Sequence, residues 1–405
     1  MSTAASGPLA GIRVVELGVW VAGPSAGAIL ADWGADVVKI EPPTGDPFRA
    51  FVLAAAGVDM PVNPPFELDN RGKRSVCLDF RSAEGAEIVA RLATDADVLL
   101  TNLRASALRE AGLDYSDLAA RNPRLVYARV SGYGERGPDA DRQAYDLGAF
   151  WSRAGIAAAL TPPGDPPPYM RGGFGDHSTG VATVAGIMGA LYARERTGKG
   201  QLVSTSLMRT GIYVLGFDLN TTLRLGFTYP QPRRETYPNP LTACFRTKDD
   251  RWFWLLGLQA DRHWPDLVRA VERPEWRDDP RFAHIGVRMQ HGVELMRALD
   301  AIFATGTRDE WAVRFDAAGM WWAPVQTPDE VVADPQAHAA GAFVDVPLPD
   351  GSSARMVATP VEFADTPACP RGPVPEAGQH TEEVLLELGY DWDAIAGLKE
   401  RKVVP

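Results

Sequence analysis

Cysteine is scarce in this 405-residue chain. The three present, Cys77, Cys244 and Cys369, are far apart and odd in number, so neither a disulfide framework nor a cysteine metal site is expected. The six histidines include no HExxH or clustered ligand spacing, so no metal is expected either. No apolar run is long enough to span a bilayer, and the opening MSTAASGPLA lacks the basic and apolar regions of a secretory signal, so a cytoplasmic protein without membrane contact is expected. Positive charge is in deficit: 41 Lys and Arg against 52 Asp and Glu leave a net charge of −11, which argues against a nucleic-acid partner. A dinucleotide fingerprint is also missing. After the first apolar stretch the glycines fall at 18, 23 and 27 rather than as GxGxxG, and Glu41 stands alone as a ribose contact, so neither NAD nor FAD is expected.

What is present is the composition of a soluble globular protein, 45% hydrophobic and 23% charged, with length for two domains. Short apolar strands alternate with helices: strand 12–17, helix to about Trp33 with the stop Gly34, strand 36–41, strand 76–80, helix 83–93, strand 98–101, helices 105–111 and 115–121, strand 125–130. This alternation predicts an α/β fold with a mostly parallel sheet covered on both faces. The pattern changes at 229–240, which holds Pro230, Pro232, Pro238 and Pro240. Beyond that linker a hairpin (241–247 and 252–258 around Lys248-Asp249-Asp250) and helices near 261–271, 288–304 and 308–318 predict a smaller second domain. The boundaries are 1–228, 229–326 and 327–405.

Between Arg171 and Gly180 the chain reads RGGFGDHSTG. Gly172, Gly173 and Gly175 permit close backbone approach, and a buried helix is expected over 181–194, which puts Asp176 at a helix start. There the helix dipole favours a carboxylate, so Asp176 is expected to stay ionised at neutral pH, with nearby amides free to hold an oxyanion. Alone, this segment reads first as an ordinary N-cap.

Seven segments move the balance: 11–49, NRGKRSVCLDF (70–80), DVLLTNL (97–103), NPRLVYARVSGYGERGP (122–138), GDHSTG (175–180), RTGKGQLVSTSL (196–207) and GQHTEEVLLELG (378–389). Together, in this order, they resemble the family III CoA transferases, the group of formyl-CoA and carnitine CoA transferases. The resemblance implies a Rossmann-like large domain formed from both chain ends plus a smaller α+β domain, in an interlocked homodimer. It implies CoA, as substrate, for the only cofactor, an acyl-CoA donor and a carboxylic acid acceptor as partners, and Asp176 as nucleophile with Gly173 and Gly175 around it. Position by position, Val21, Ala22, Leu78, Arg81, Asn102 and Leu103 match CoA contacts, to which Arg104, Arg109 and Tyr145 are added. Pro42 and Gln143 replace an arginine and a lysine of the formyl-CoA enzyme, leaving Arg71, Lys73, Arg104 and Arg109 as alternative phosphate holders. The small domain lacks that enzyme's glycine run. Tyr237, Asn239 and Trp254 are the expected determinants of acceptor size, favouring a medium or bulky acid over formate.

Two other readings stand beside this one. An α-methylacyl-CoA racemase of the same fold uses a His where this chain has Tyr145 in Ala144-Tyr145-Asp146, and tyrosine, with an unperturbed pKa of about 10, is a poor base at neutral pH. His177 follows Asp176 directly and does not share its helix face, so a packing or capping role is expected for it. A non-catalytic acyl-CoA binder would bind CoA without exchanging acyl groups.

Overall fold

The computed structural model describes residues 7–51 and 62–405. Six parallel strands form the main sheet: β1 (Arg13–Leu17), β2 (Asp36–Glu41), β3 (Arg74–Cys77), β4 (Val98–Thr101), β5 (Val126–Ser131) and β6 (Leu202–Ser206), in the order β3-β2-β1-β4-β5-β6. Each strand reads as a near-continuous apolar run because both sheet faces are covered. Side-chain alternation divides the core. Val14, Val37, Leu100 and Ala128 point to one face, under the helices Ala22–Asp32 and Phe174–Thr197. Val15, Val38, Leu99 and Tyr127 point to the other, under the helix Ala83–Thr94 and the late helices Thr381–Glu387 and Trp392–Glu400. Order reverses between β1 and β4, and in sheets of this topology ligands bind beyond the carboxyl ends of the strands at that point.

The chain divides into two compact units. One comprises residues up to Ala159, Pro167–Thr228 and Ala339–Pro405; the other comprises Leu160–Pro166 and Tyr229–His338. The return to the first unit comes at Ala339 rather than at 327. Glu330, on the helix Pro328–Ala333, pairs with Arg251 and Arg308 and so holds that stretch in the second unit. In the first unit β10 (Phe343–Pro347) and β11 (Ser353–Val357) form an antiparallel hairpin. The second unit is built on the antiparallel strands β7 (Cys244–Arg246), β8 (Trp252–Leu255) and β9 (Trp322–Val325), whose inner face carries an aromatic core. Phe303 meets Trp311 edge to face at 4.9 Å, with Phe245, Phe253 and Phe315 around them. Among the described residues no helix is long and apolar enough to cross a membrane.

Candidate active site

The switch point is braced by buried charge. Glu16 of β1 stands in register beside Lys39 of β2, both wholly buried, with Lys39 Nζ 3.0 Å from Glu16 Oε1 and 2.9 Å from Asp46 Oδ2. Lys73 closes the cluster, 2.7 Å from Glu16 Oε2, and donates to the carbonyls of Pro24 and Asp69. Burial alone would raise the Glu16 pKa, but Lys73 and Lys39 outweigh it and hold it below the usual carboxylate range. For Lys39 burial works downward and is outweighed by Glu16, Asp46 and Glu41, so its ammonium is held more firmly than usual. Asp46 also accepts from the N–H of Trp20, a residue with φ of 67°. A left-handed conformation at a large side chain costs free energy and persists only where its surroundings enforce it. Asn102, just past β4, completes the brace: its Oδ1 accepts from Val19 N at 3.1 Å and its Nδ2 donates to Val19 O at 2.6 Å.

These contacts hold open a cavity of about 460 Å³ at the carboxyl ends of β4 and β5. Among the anticipated CoA contacts, Arg81, Asn102, Leu103, Arg104, Arg109 and Tyr145 all line it. Arg81 and Arg104 form no ion pair among the described residues, and Arg109 reaches only Asp141, at 3.8 Å with both side chains exposed. Three guanidiniums therefore face one space with little to neutralise them. Tyr145 is 63% exposed and packs edge-on against Trp20 at 5.6 Å.

The Leu78 side chain is wholly buried in the core that holds Val15, Leu17 and Val76, and Ala22 is buried in the opposite core. Val21 is the N-cap residue of the helix Ala22–Asp32. Arg71 and Lys73 are not phosphate holders: Arg71, 1% exposed, is clamped on Asp32 at 2.7 Å, and Lys73 belongs to the buried cluster. Tyr237, Asn239 and Trp254 lie in the second unit, where Tyr237 packs on the aromatic core, Asn239 caps a short turn and Trp254 is 45% exposed.

Asp176 does lie in the first turn of a helix, but that helix starts at Phe174, well before 181. Gly173 is its N-cap, with φ of 94°, a conformation open to glycine at no steric cost. The N–H of Gly173 is not free for an oxyanion, because it donates to Asp146 Oδ2 at 2.8 Å. Gly175 is required for packing: a Cβ there would lie 2.6 Å from the Phe150 side chain and 2.8 Å from Asp146 Cβ. The N–H groups of Phe174, Gly175 and Asp176 point out of the helix start without an intrahelical acceptor.

The ionisation of Asp176 also departs from expectation. Burial, then the nearby Asp146 carboxylate and more weakly Asp69, push its pKa from 3.8 up to about 7, and only His177 opposes them. The helix terminus does not win, since a dipole contributes about 0.3–1 kcal/mol whereas each pKa unit is about 1.4 kcal/mol. His177 is not a mere packing residue. Its Nε2 lies 3.0 Å from Asp69 Oδ1, and this hydrogen bond raises the imidazole pKa against burial. Asp146 and Asp69 escaped the sequence analysis as functional residues. Asp146 sat in a segment compared only for its missing histidine, and nothing in the spacing of Asp69 linked it to residue 177.

Comparison with known proteins identifies the family. The sequence description of CoA-transferase family III matches residues 9–381. The (R)-2-hydroxy-4-methylpentanoate CoA-transferase of Clostridioides difficile is 34% identical, over 98% of this chain and 99% of its own. The cinnamoyl-CoA:phenyllactate CoA-transferase of Clostridium sporogenes is also 34% identical, over 97% and 96%. The crystal structure of a CAIB/BAIF family protein from Brucella suis superposes with a TM-score of 0.83 at 32% identity, covering 95% of this chain and all of that one. With a braced switch point, a guanidinium-lined cavity and a carboxylate at a glycine-led helix start, the chain belongs to the family III CoA-transferases.

Proposed function

We propose that the protein moves CoA from an acyl-CoA thioester to a carboxylic acid acceptor, with Asp176 as covalent nucleophile. The observation that carries this reading is the placement of Asp176: a carboxylate in the first helical turn, part-buried, with an ionisation near neutrality. At pH 7 a useful fraction is ionised, and a carboxylate stripped of much of its water is the more reactive nucleophile. Asp176 attacks the thioester carbon, the C–S bond breaks, and CoA leaves as thiolate from a mixed anhydride. The thiolate then attacks the Asp176 carbonyl carbon, releasing the donor as carboxylate and leaving an enzyme–CoA thioester. The acceptor carboxylate repeats these two steps in reverse, so charge and protons balance without an external acid.

Each tetrahedral intermediate carries an oxyanion, for which the first-turn amides after Gly173, including that of Gly175, are the donors. Arg81, Arg104 and Arg109 hold the phosphates of CoA, and Asn102, Leu103 and Tyr145 its remaining path, in the cavity at the strand ends. The acids exchanged are medium-sized or bulky rather than formate, in line with the (R)-2-hydroxy-4-methylpentanoate and phenyllactate in the relatives' names. The active form is an interlocked cytoplasmic homodimer. Support for dimerisation comes from the helix Gly216–Leu225, which buries none of its residues and exposes Phe217 (94%), Leu223 (80%) and Leu225 (67%).

Peptide mass spectrometry after reaction with a panel of acyl-CoAs and quenching in hydroxylamine tests this mechanism. A hydroxamate on Asp176, absent from Asp176→Asn, is expected. Proton exchange at the α-carbon of a branched acyl-CoA, with no hydroxamate from any donor, would replace transfer by isomerisation.

A further inference from the structure

Of the non-glycine residues with left-handed φ among the described residues, Trp20 alone is aromatic. Glycine would take its φ of 67° freely, so the strain keeps an indole where the backbone favours no side chain. Every residue of the loop that carries it is fastened. Gly18 O accepts from Lys39 Nζ at 3.1 Å, Val19 is bound at both its N–H and its carbonyl by Asn102, and Trp20 N donates to Asp46 Oδ1 at 3.2 Å. The result is an aromatic wall on the cavity at the strand ends. Trp20 and Tyr145 both line that cavity, with ring centroids 5.6 Å apart and planes at 84°, and Phe51 meets the same indole at 5.3 Å and 77°.

Contacts tie this wall to the nucleophile from two directions. Tyr145 is bonded to Asp146, whose Oδ2 takes the N–H of Gly173 at 2.8 Å and whose Cβ lies 2.8 Å from the place of a Cβ on Gly175. The side chain next to the wall therefore touches the residue next to Asp176. On the other flank Trp20 leads into the helix Ala22–Asp32, which packs so closely on the nucleophile helix that a Cβ at Gly180 would strike Ser25 Oγ. Gly180 lies one turn after Asp176 on the same helix face. Lys73 Nζ also joins the carbonyls of Pro24 and Asp69, at 2.8 and 2.6 Å, and Asp69 Oδ1 is 3.0 Å from His177 Nε2. An acyl-CoA with its phosphates among Arg81, Arg104 and Arg109 thus brings its thioester end to Trp20 on the way to Asp176. We infer that Trp20 is a specificity-determining residue for the acyl group, its indole and the Tyr145 ring receiving an aryl side chain, so that aryl-bearing acids are favoured over short-chain ones. The inference rests on the CoA-transfer reading above and names the residue that selects its substrates. A phenyl ring joins such a wall edge to face or offset, at centroid separations of about 4.5–7 Å, whereas an acetyl group gains nothing from it.

The test measures kcat/KM for 3-phenylpropionyl-CoA and acetyl-CoA, with propionate as common acceptor, in wild type, Trp20→Gly and Trp20→Phe. Wild type should favour the phenylpropionyl donor by about tenfold or more. Trp20→Gly relieves the left-handed backbone, so it should fold, and it should lower that preference about tenfold; Trp20→Phe, which keeps a ring, should hold it within about threefold. An equal loss for both donors in Trp20→Gly overturns the assignment, since the indole then serves CoA itself or the fold. A gain for the phenylpropionyl donor overturns it too, since the indole then only fills space. If neither donor is turned over, calorimetric binding of the same two thioesters separates the two readings. Discrimination that is lost in Trp20→Gly and kept in Trp20→Phe upholds the wall while CoA transfer falls, and equal affinities in wild type overturn the wall.

Discussion

Replacing Asp176 by asparagine should stabilise the protein at alkaline pH and leave its stability unchanged in acid. The carboxyl pKa is 3.8 when exposed and about 7 in the folded chain, with burial the largest cause. At roughly 1.4 kcal/mol per unit, ionising Asp176 in the native state costs about 4 kcal/mol more than ionising it unfolded, trimmed to about 2–4 kcal/mol by solvent at its exposed edge. The sign follows from linkage. A group whose folded pKa is raised contributes its full share below the unfolded value and loses it as pH rises through the folded one. Wild type and Asp176→Asn should therefore unfold at the same urea concentration near pH 4, diverge between about 4 and 7, and differ by about 2–4 kcal/mol above about pH 8, the variant being the more stable. Asparagine keeps the shape and the hydrogen-bonding oxygen, so the comparison isolates charge. Urea titrations across that range measure it, on protein of constant oligomeric state. A gap independent of pH, or wild type the more stable at pH 8, would refute the assignment of Asp176 as a desolvated carboxylate.

Asp146→Asn removes the like charge that helps raise Asp176 while keeping an oxygen to accept from Gly173, so the acid limb of the kcat/KM profile should move to lower pH in initial-rate measurements. Gly175→Ala puts a methyl 2.6 Å from Phe150; thermal melts should show a loss of about 1–3 kcal/mol, with activity falling because the nucleophile's turn is displaced. Arg104→Ala removes a guanidinium that has no ion pair among the described residues from the cavity at the strand ends, and KM for the acyl-CoA should rise about tenfold and become less sensitive to salt, a change of about 1.4 kcal/mol.

Much of the sheet was legible because buried parallel strands are written as short apolar runs, and β1, β2 and β4 lie within a residue of where the sequence puts them. β3 was displaced. Expected over 76–80, it runs Arg74–Cys77, because Arg74 and Ser75 are strand residues whose polarity is satisfied by Asp36 and Glu41, whereas Leu78 is apolar but lies beyond the ladder. The nucleophile helix was expected late for a related reason: Gly, Asp, His and Ser are poor helix formers, and their helicity here comes from the cap at Gly173 and packing on Phe150. Arg71 and Lys73 looked like surface charge because their partners, Asp32 and Glu16, are distant in sequence. A signal was available in the strands themselves. A glutamate inside RVVEL and a lysine inside DVVKIE have no place in buried parallel strands unless they meet, which they do in register. The pairing of His177 with Asp69 had no such signal, since only the folded chain brings residues of those two helices together.

Val403 and Val404 are 3% and 1% exposed, in the core beneath β3, and the carbonyl of Val403 accepts from Asp79 N at 2.8 Å. Thr381 likewise accepts from Cys77 N, and His380 from Ser75 N. One sheet face is thus finished by residues that leave the ribosome after the whole intervening unit has been made. During synthesis β2 and β3 must wait with an apolar flank uncovered while the second unit folds, a window in which chaperone capture or aggregation competes with completion.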